Sequence, residues 1–455
     1  MSPSNGRGRG GNPSSVGAAQ VVRSSFQTVV RPLQEFFRLE AASGILLFAA
    51  AVVALVWANS PLAGTYQRLF AAPLAVSVGG LSAAADLRAL INDGLMSFFF
   101  LLVGMEIKRE LACGELRTFR RAALPAVAAL GGMLVPSAIF LIFTWRGPGR
   151  AGWGIPMATD IAFAIGCLTV MKKRVPHALM VFLTALAIFD DIGGILVIAI
   201  FYGQGLHFGW LLGAAAITLA LFGMNQGYVR NGLAYAAAGA ALWYALHAGG
   251  IHATIAGVVL GLMIPSRPRR PAREVLVELG EHVQGLVAGP PREEVDEAAI
   301  LNIEEKLEDL EAPLNRFVHA LHPYVAFAIV PVFALANSGV KLGSADTLAG
   351  PVTVGVGLGL LVGKPIGILA TTWLAVRLRL SSVPGGAPWL AVTGVSIVAG
   401  IGFTVALFIA ALAYPGQAGL LDQAKAGILL GSAAAGTLGM IVLRLSPGAG
   451  SPPAG

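Results

Sequence analysis

The stretch TALAIFDDIGGILVIAIFY, residues 184–202, carries two acids, Asp190 and Asp191, and no other charge. Nothing charged lies between Arg174 and Arg230 apart from this pair. A crossing helix needs about 20 apolar residues, and this run supplies them. Ionised carboxylates at membrane depth are costly, so by default they mark ion or proton pathways. The bland alternative is a satisfied polar pair that only locks helix packing.

Outward from that stretch the whole chain has the same character. Its 455 residues are 56% hydrophobic and 12% charged, with mean hydropathy +0.75. A soluble domain carries about 25% charge. The fold class is therefore an all-α polytopic membrane protein. The 58 glycines suit close helix–helix approach in lipid. Cys113 and Cys167 are too few for a disulfide framework. The net charge of +7 is dispersed between apolar runs, as orientation signals are, and no nucleic-acid partner is expected. The surrounding partner is membrane lipid. No short apolar stretch with a small-residue cleavage site opens the chain, so no removable signal peptide is expected.

Apolar runs predict about twelve spans, near 41–59, 90–107, 122–145, 152–171, 177–202, 208–225, 231–247, 249–265, 321–340, 350–376, 387–413 and 422–443. The region 231–265 also reads as one long hairpin. Loops after even spans are the more basic, with Lys108, Arg109, Lys172, Lys173 and Arg174 among their charges. The odd loops hold Arg68, Arg88, Arg146, Arg150, Lys341 and Lys425. The positive-inside rule then puts both termini in the cytoplasm. Residues 1–40 read as a disordered cytoplasmic arm, rich in Gly, Ser, Pro and Arg, and 446–455 as a cytoplasmic tail. Between the membrane blocks 41–265 and 319–445 lies a cytoplasmic acidic insertion, 266–318. Val275, Leu276, Leu279 and Val283 predict a short amphipathic helix in it, and Leu301, Leu307 and Leu310 a second. It is a solvated loop or a regulatory element.

Four further features accompany the aspartate pair. Span 4 reads GIPMATDIAFAIG, where a proline, Thr159 and Asp160 interrupt one helix. Span 11 reads VSIVAGIGFTVALF, with Gly400 and Gly402 near its middle. Interrupted spans in the two halves of a transporter point to a binding site at the midplane. Exposed half-helix ends carry partial charges, which a buried acid and a buried base would balance. Asp160 is the acid, and span 10, LLVGKPIGIL, supplies Lys364 deep in an apolar run. Span 8 opens GGIHATIAGV, where His252 reads as a packed, hydrogen-bonded histidine before it reads as a ligand. Glu106, in FFFLLVGMEIKREL, lines a cytoplasmic funnel or simply ends a helix in solvent. Asp93 reads as a helix-start acid.

Adjacent helix residues point about 100° apart, so Asp190 and Asp191 cannot both face one cavity squarely. One faces the cavity while the other faces a neighbouring span, such as the one bearing Lys364. Hard oxygens suit an alkali cation and also hold protons. Competition for one site, opened alternately to each side, is sufficient for exchange.

These residues resemble the NhaA family of sodium/proton antiporters. The matching strings are FFFLLVGMEIKREL, GIPMATDIAFAIG, TALAIFDDIGGILVIAIFY, GIHATIAGVVLGLMIP, LHPYVAFAIVPVFALANSGV, VGKPIGI and GIGFTVALFIA, in order over roughly 40–265 and 320–445. The resemblance implies two inverted repeats, with spans 4 and 11 unwound and crossing. It implies that Asp191 is the main carrier of Na+ and protons, with Asp190 beside it as the second Na+ ligand. Lys364 would neutralise a helix end or pair with Asp190, Thr159 and Asp160 would support the site, and Glu106 would line the cytoplasmic funnel. It implies no cofactor, only the transported ions Na+, Li+ and H+. It also implies an electrogenic antiporter serving sodium and pH homeostasis, as a homodimer in the bacterial inner membrane. PLAVSVGGLSAA, 73–84, looks like the β-hairpin that joins protomers in this family. Two departures stand out. Val318 occupies the place where the family carries a pH-sensing glutamate, and the acidic insertion exceeds the family's short loop.

An intramembrane aspartyl protease is the rival from another class. It needs two acids on separate helices sharing a proton. Asp190 and Asp191 are contiguous, although Asp160 could supply the second acid. A sodium-coupled symporter of an organic solute lacks a substrate-binding base other than Lys364. A non-transporting sensor would leave the ion site without purpose.

Overall fold

The computed structural model describes residues 42–447 apart from 79–80, 173, 204, 230, 269, 289–298, 300, 304–305, 307–309 and 344. The expected arm 1–40, the tail beyond 447 and most acids of the insertion lie outside the described residues.

The elements run in order α1 (Ala42–Ala58), α2 (Ala63–Phe70), β1 (Pro73–Val78), β2 (Leu81–Asp86), α3 (Leu87–Cys113), α4 (Phe119–Thr144), a 3-10 helix (Pro148–Met157), α5 (Ile161–Val170), α6 (His177–Phe201), α7 (Phe208–Gln226), α8 (Gly232–Ala248), α9 (Ile255–Met263), α10 (Ala272–Ala288), α11 (Pro313–Asn337), α12 (Ala345–Arg377), α13 (Trp389–Val398), α14 (Phe403–Ala413) and α15 (Ala418–Leu445). Among the described residues, seven helices are long and apolar enough to cross a membrane: α3, α4, α6, α7, α11, α12 and α15. Three bent pairs pass the same test together, namely α1 with α2 at 117°, the 3-10 helix with α5 at 43°, and α13 with α14 at 44°. The protein is a polytopic, all-helical membrane protein. The expected seventh and eighth spans correspond to α8 and α9, and α9 is only 9 residues long. It is preceded by a turn at 249–254 that takes the residues expected to continue it.

Large side chains such as Ile45, Phe48, Leu134, Ile142 and Leu219 point outward from these helices. Inside, small residues set the spacing. A Cβ on Gly367 of α12 would overlap the backbone of Gly131 on α4, so these two helices touch main chain to main chain. That contact brings the middle of α12 against the interior. A widened π turn, Gly359–Gly363, immediately precedes Lys364. Pro365 follows it, has no N–H to donate and crowds the preceding turn, which accounts for the widening.

The hairpin expected at 73–84 forms at 73–86, with Pro73 opposite Asp86 and Val78 opposite Leu81. The amphipathic helix expected in the insertion is α10. Val275 is buried on it, while Leu276 and Val283 stay exposed. Of the second expected helix, 301–303, 306 and 310 are helical among the described residues. One sequence placement is corrected: Lys425, expected among loop charges, sits inside α15 and is only 4% exposed. The helix starts at Ala418, about two turns before Lys425, so the charge is carried into the helix.

Candidate functional site

The breaks in the two interrupted pairs meet. Residues 158–160 separate the 3-10 helix from α5, and 399–402 separate α13 from α14. The Asp160 N–H donates to the Ile401 carbonyl at 2.7 Å. Gly402 makes the approach possible, because a Cβ there would stand 3.1 Å from the Ala158 carbonyl oxygen. Each break leaves one helix C-terminus, rich in unpaired carbonyls, and one N-terminus, rich in unpaired N–H groups.

One side chain serves both N-termini. Asp160 Oδ1 accepts from the Phe163 N–H at 3.1 Å, capping α5. Asp160 Oδ2 accepts from the Thr404 N–H at 3.1 Å and from its hydroxyl at 2.6 Å, capping α14. Negative charge belongs at such ends. The C-termini receive donors instead. The Lys364 ammonium donates to the Met157 carbonyl at the end of the 3-10 helix. The Thr159 hydroxyl lies 2.9 Å from the Ala399 carbonyl at the end of α13.

Lys364 has a second partner: its ammonium lies 2.9 Å from Asp190 Oδ2, with both side chains 0% exposed. The ammonium thus touches both a helix end and Asp190. Thr159 Oγ1 stands 2.7 Å from the same Asp190 oxygen. Thr159 has one hydroxyl proton for two acceptors, Asp190 and Ala399. It donates to Ala399 without losing the first contact only when Asp190 itself carries a proton. Asp190 Oδ1 is buried with no hydrogen bond.

Asp191 turns the other way. It lines a cavity of about 90 Å³ with Thr159, Asp160, Thr404, Glu106 and His322. Arg109 and Glu110 line it further along α3, so the cavity extends toward the end of that helix. The Asp191 carboxylate makes no hydrogen bond to another described residue. It lies within electrostatic range of Asp190, Glu106 and Asp160, with Lys364 as counter-charge. Among the described residues no group of three or more His, Cys, Asp or Glu stands in ligating array. A cation here would take its remaining ligands from hydroxyls, carbonyls and water.

The family described as Na+/H+ antiporter 1 matches residues 34–443. The chain belongs to that family. It is 61% identical over 424 residues to a protein of Anaeromyxobacter sp. (strain Fw109-5) named Na(+)/H(+) antiporter NhaA, covering 93% of each chain. It is 57% identical over 426 residues to the protein of Myxococcus xanthus (strain DK1622) named Na(+)/H(+) antiporter NhaA 1, covering 93% of this chain and 95% of that one. A second M. xanthus protein, named Na(+)/H(+) antiporter NhaA 2, is 44% identical over 420 residues, covering 91% of this chain and 89% of that one.

In this antiporter, Asp190, Asp191, Thr159, Asp160 and Lys364 converge around the paired breaks, and Glu106 borders the same cavity. His252 lies apart, its ring nitrogen 3.0 Å from the Tyr202 carbonyl oxygen. Thr404 was not singled out from sequence. Its signal was available, since a hydroxyl two residues after Gly402 is a donor at a broken helix end. The Met157 and Ala399 carbonyls have no sequence signal, because every residue carries one.

Proposed function

We propose that this sodium/proton antiporter carries its ions on Asp191, with Asp190 as the coupled second carboxylate. The observation that carries the reading is the division of labour within one dipeptide. Asp190 is held by Lys364 and Thr159, while Asp191 stands in the cavity with its oxygens uncommitted. An uncommitted buried carboxylate takes either a proton or a cation. Sodium displaces protons on one side of the membrane, and protons displace sodium on the other. Asp160, Lys364 and Thr159 together hold the four half-helix ends, so a small tilt at the breaks moves the site between the two sides without unsatisfied backbone in lipid.

Proteolysis is disfavoured because both oxygens of Asp160, the acid that could have paired with Asp191, accept hydrogen bonds from helix N-termini. The finer reading is of twelve crossings in inverted repeats, both termini cytoplasmic, in a bacterial inner membrane. Na+ or Li+ leaves the cytoplasm in exchange for external protons, which serves sodium and pH homeostasis. Among the described residues the hairpin pairs only β1 with β2, and pairing with a second copy would satisfy one of its outer edges.

The test is ΔpH dequenching in everted vesicles on addition of Na+, Li+ or K+. Wild type responds to Na+ and Li+. Asp191→Asn, inserted at normal levels, gives no response, and Asp190→Asn is severely impaired. Normal sodium-driven dequenching in Asp191→Asn overturns the assignment.

A further inference from the structure

A second polar recess lies away from the ion site, at the end of the molecule that carries the hairpin. It has a volume of about 300 Å³ and is bordered by Tyr66, Gln67, Arg88, Lys341, Asp422 and Lys425. The residues come from α2, the start of α3, the segment after α11 and the first turns of α15. Three cations face one carboxylate.

The cations are poorly satisfied. Lys425 is 4% exposed, yet it makes no hydrogen bond or close ion pair with any described residue. Asp422 is three residues away on the same helix and in electrostatic range of Lys425, Lys341 and Arg88, but it reaches none of them closely enough for an ion pair. Arg88 Nε is buried with no hydrogen-bond partner. The Arg88 guanidinium sits 6.0 Å from the centre of the Phe70 ring, which fixes its place at the wall. A buried cation without a partner is costly, and several of one sign around a recess repel one another. Such an arrangement is stable when an anion completes it. Lysine and arginine donors disposed around a rounded space match a phosphate-type oxyanion, which has acceptors on every side. A cation would be repelled, so this recess is not the sodium path.

We propose that the recess between α2, α3 and α15 binds a phosphate-type oxyanion, held by Lys425, Arg88 and Lys341. The group is free inorganic phosphate or the phosphate of an anionic lipid headgroup. The empty recess destabilises the protein and the filled one stabilises it.

The experiment measures the melting temperature of the purified full chain in a neutral detergent at constant ionic strength. Its arms are inorganic phosphate, short-chain phosphatidylglycerol, and short-chain phosphatidylcholine as the neutral control. Ligands that bind only the folded state raise the melting temperature. Phosphate or phosphatidylglycerol is expected to raise it by roughly 2 °C or more, and phosphatidylcholine to leave it unchanged. A response to phosphate identifies the free ion as sufficient. A response to phosphatidylglycerol with none to phosphate identifies the lipid headgroup. Lys425→Met should lose the response and, without additive, melt at or above wild type, because an unpartnered charge is gone. Arg88→Gln is the second variant and should also lose the response. The proposal fails if neither anion shifts wild type, or if both variants retain the full shift.

Discussion

The Lys364 ammonium lies 2.9 Å from Asp190 Oδ2 and also donates to the Met157 carbonyl. One buried lysine therefore ties a buried carboxylate to the end of a broken helix. A change in the charge of Asp190 alters what Lys364 can offer to the break, and movement at the break alters what it can offer to Asp190. Charge and conformation are coupled through a single side chain.

Lys364→Ala should lower stability as well as transport. Removing one partner of a buried ion pair strands the other, at a cost of about 3–5 kcal/mol. Lys364→Ala combined with Asp190→Asn should recover part of that loss, because no stranded charge remains. Thermal melting of the three variants checks this. A melting temperature unchanged in Lys364→Ala would show that the lysine is not a structural counter-ion.

Asp160→Ala should destabilise more than Thr404→Val. The aspartate serves the first turns of both α5 and α14, and each lost cap costs about 1 kcal/mol. Thr404→Val removes only the hydroxyl donor and leaves the Thr404 N–H bond in place. Melting curves decide the order, and equal losses would mean that Asp160 does not join the two helix starts.

Exchange should respond to membrane potential. Release of a proton from each of Asp190 and Asp191 for each sodium bound moves net charge across the membrane. Each elementary charge crossing 100 mV is worth about 2.3 kcal/mol. In proteoliposomes, an imposed potential of the sign that drives protons inward should speed sodium efflux. Rates indifferent to a potassium–valinomycin potential would exclude unequal stoichiometry.

The insertion separates a clip from a regulator. Glu278 on α10 accepts from Arg270 and Lys306, and those hydrogen bonds pull its carboxyl down to about 2 from the usual 4.5. A depressed carboxylate contributes its stability above its unfolded value and loses it as pH falls through the folded one. The clip is thus fully formed above about pH 4.5 and releases only toward about 2. Glu278→Gln should leave the pH profile of exchange unshifted near neutrality. Deleting 272–311 should keep exchange measurable but shift or broaden that profile. Exchange rate against pH at matched sodium checks both, and an identical profile after deletion would reduce the insertion to a passive linker.

Sequence alone determined the membrane class, the buried acids, the two interrupted helices and the basic residue in α12. Those features rest on local quantities. Apolar run length fixes what can cross lipid, and a proline, a glycine pair or a charge inside such a run is costly enough to stand out. The hairpin, too, is encoded within a dozen residues.

Tertiary structure alone decided what each carboxylate touches. Asp190 and Asp191 are chemically identical neighbours, and only the positions of Lys364, Thr159 and the cavity distinguish them. It also decided that Asp160 reaches Thr404, 244 residues away in sequence, and so joins two helix starts, and that Lys425 is buried rather than displayed in a loop. Pairings of that kind depend on which helix backs onto which. That is set by close contacts such as Gly131 against Gly367, where missing side chains let two backbones meet. Hydropathy and spacing register how much of a segment is apolar. They carry no record of what lies across the interface, and the energy of a buried charge is decided there.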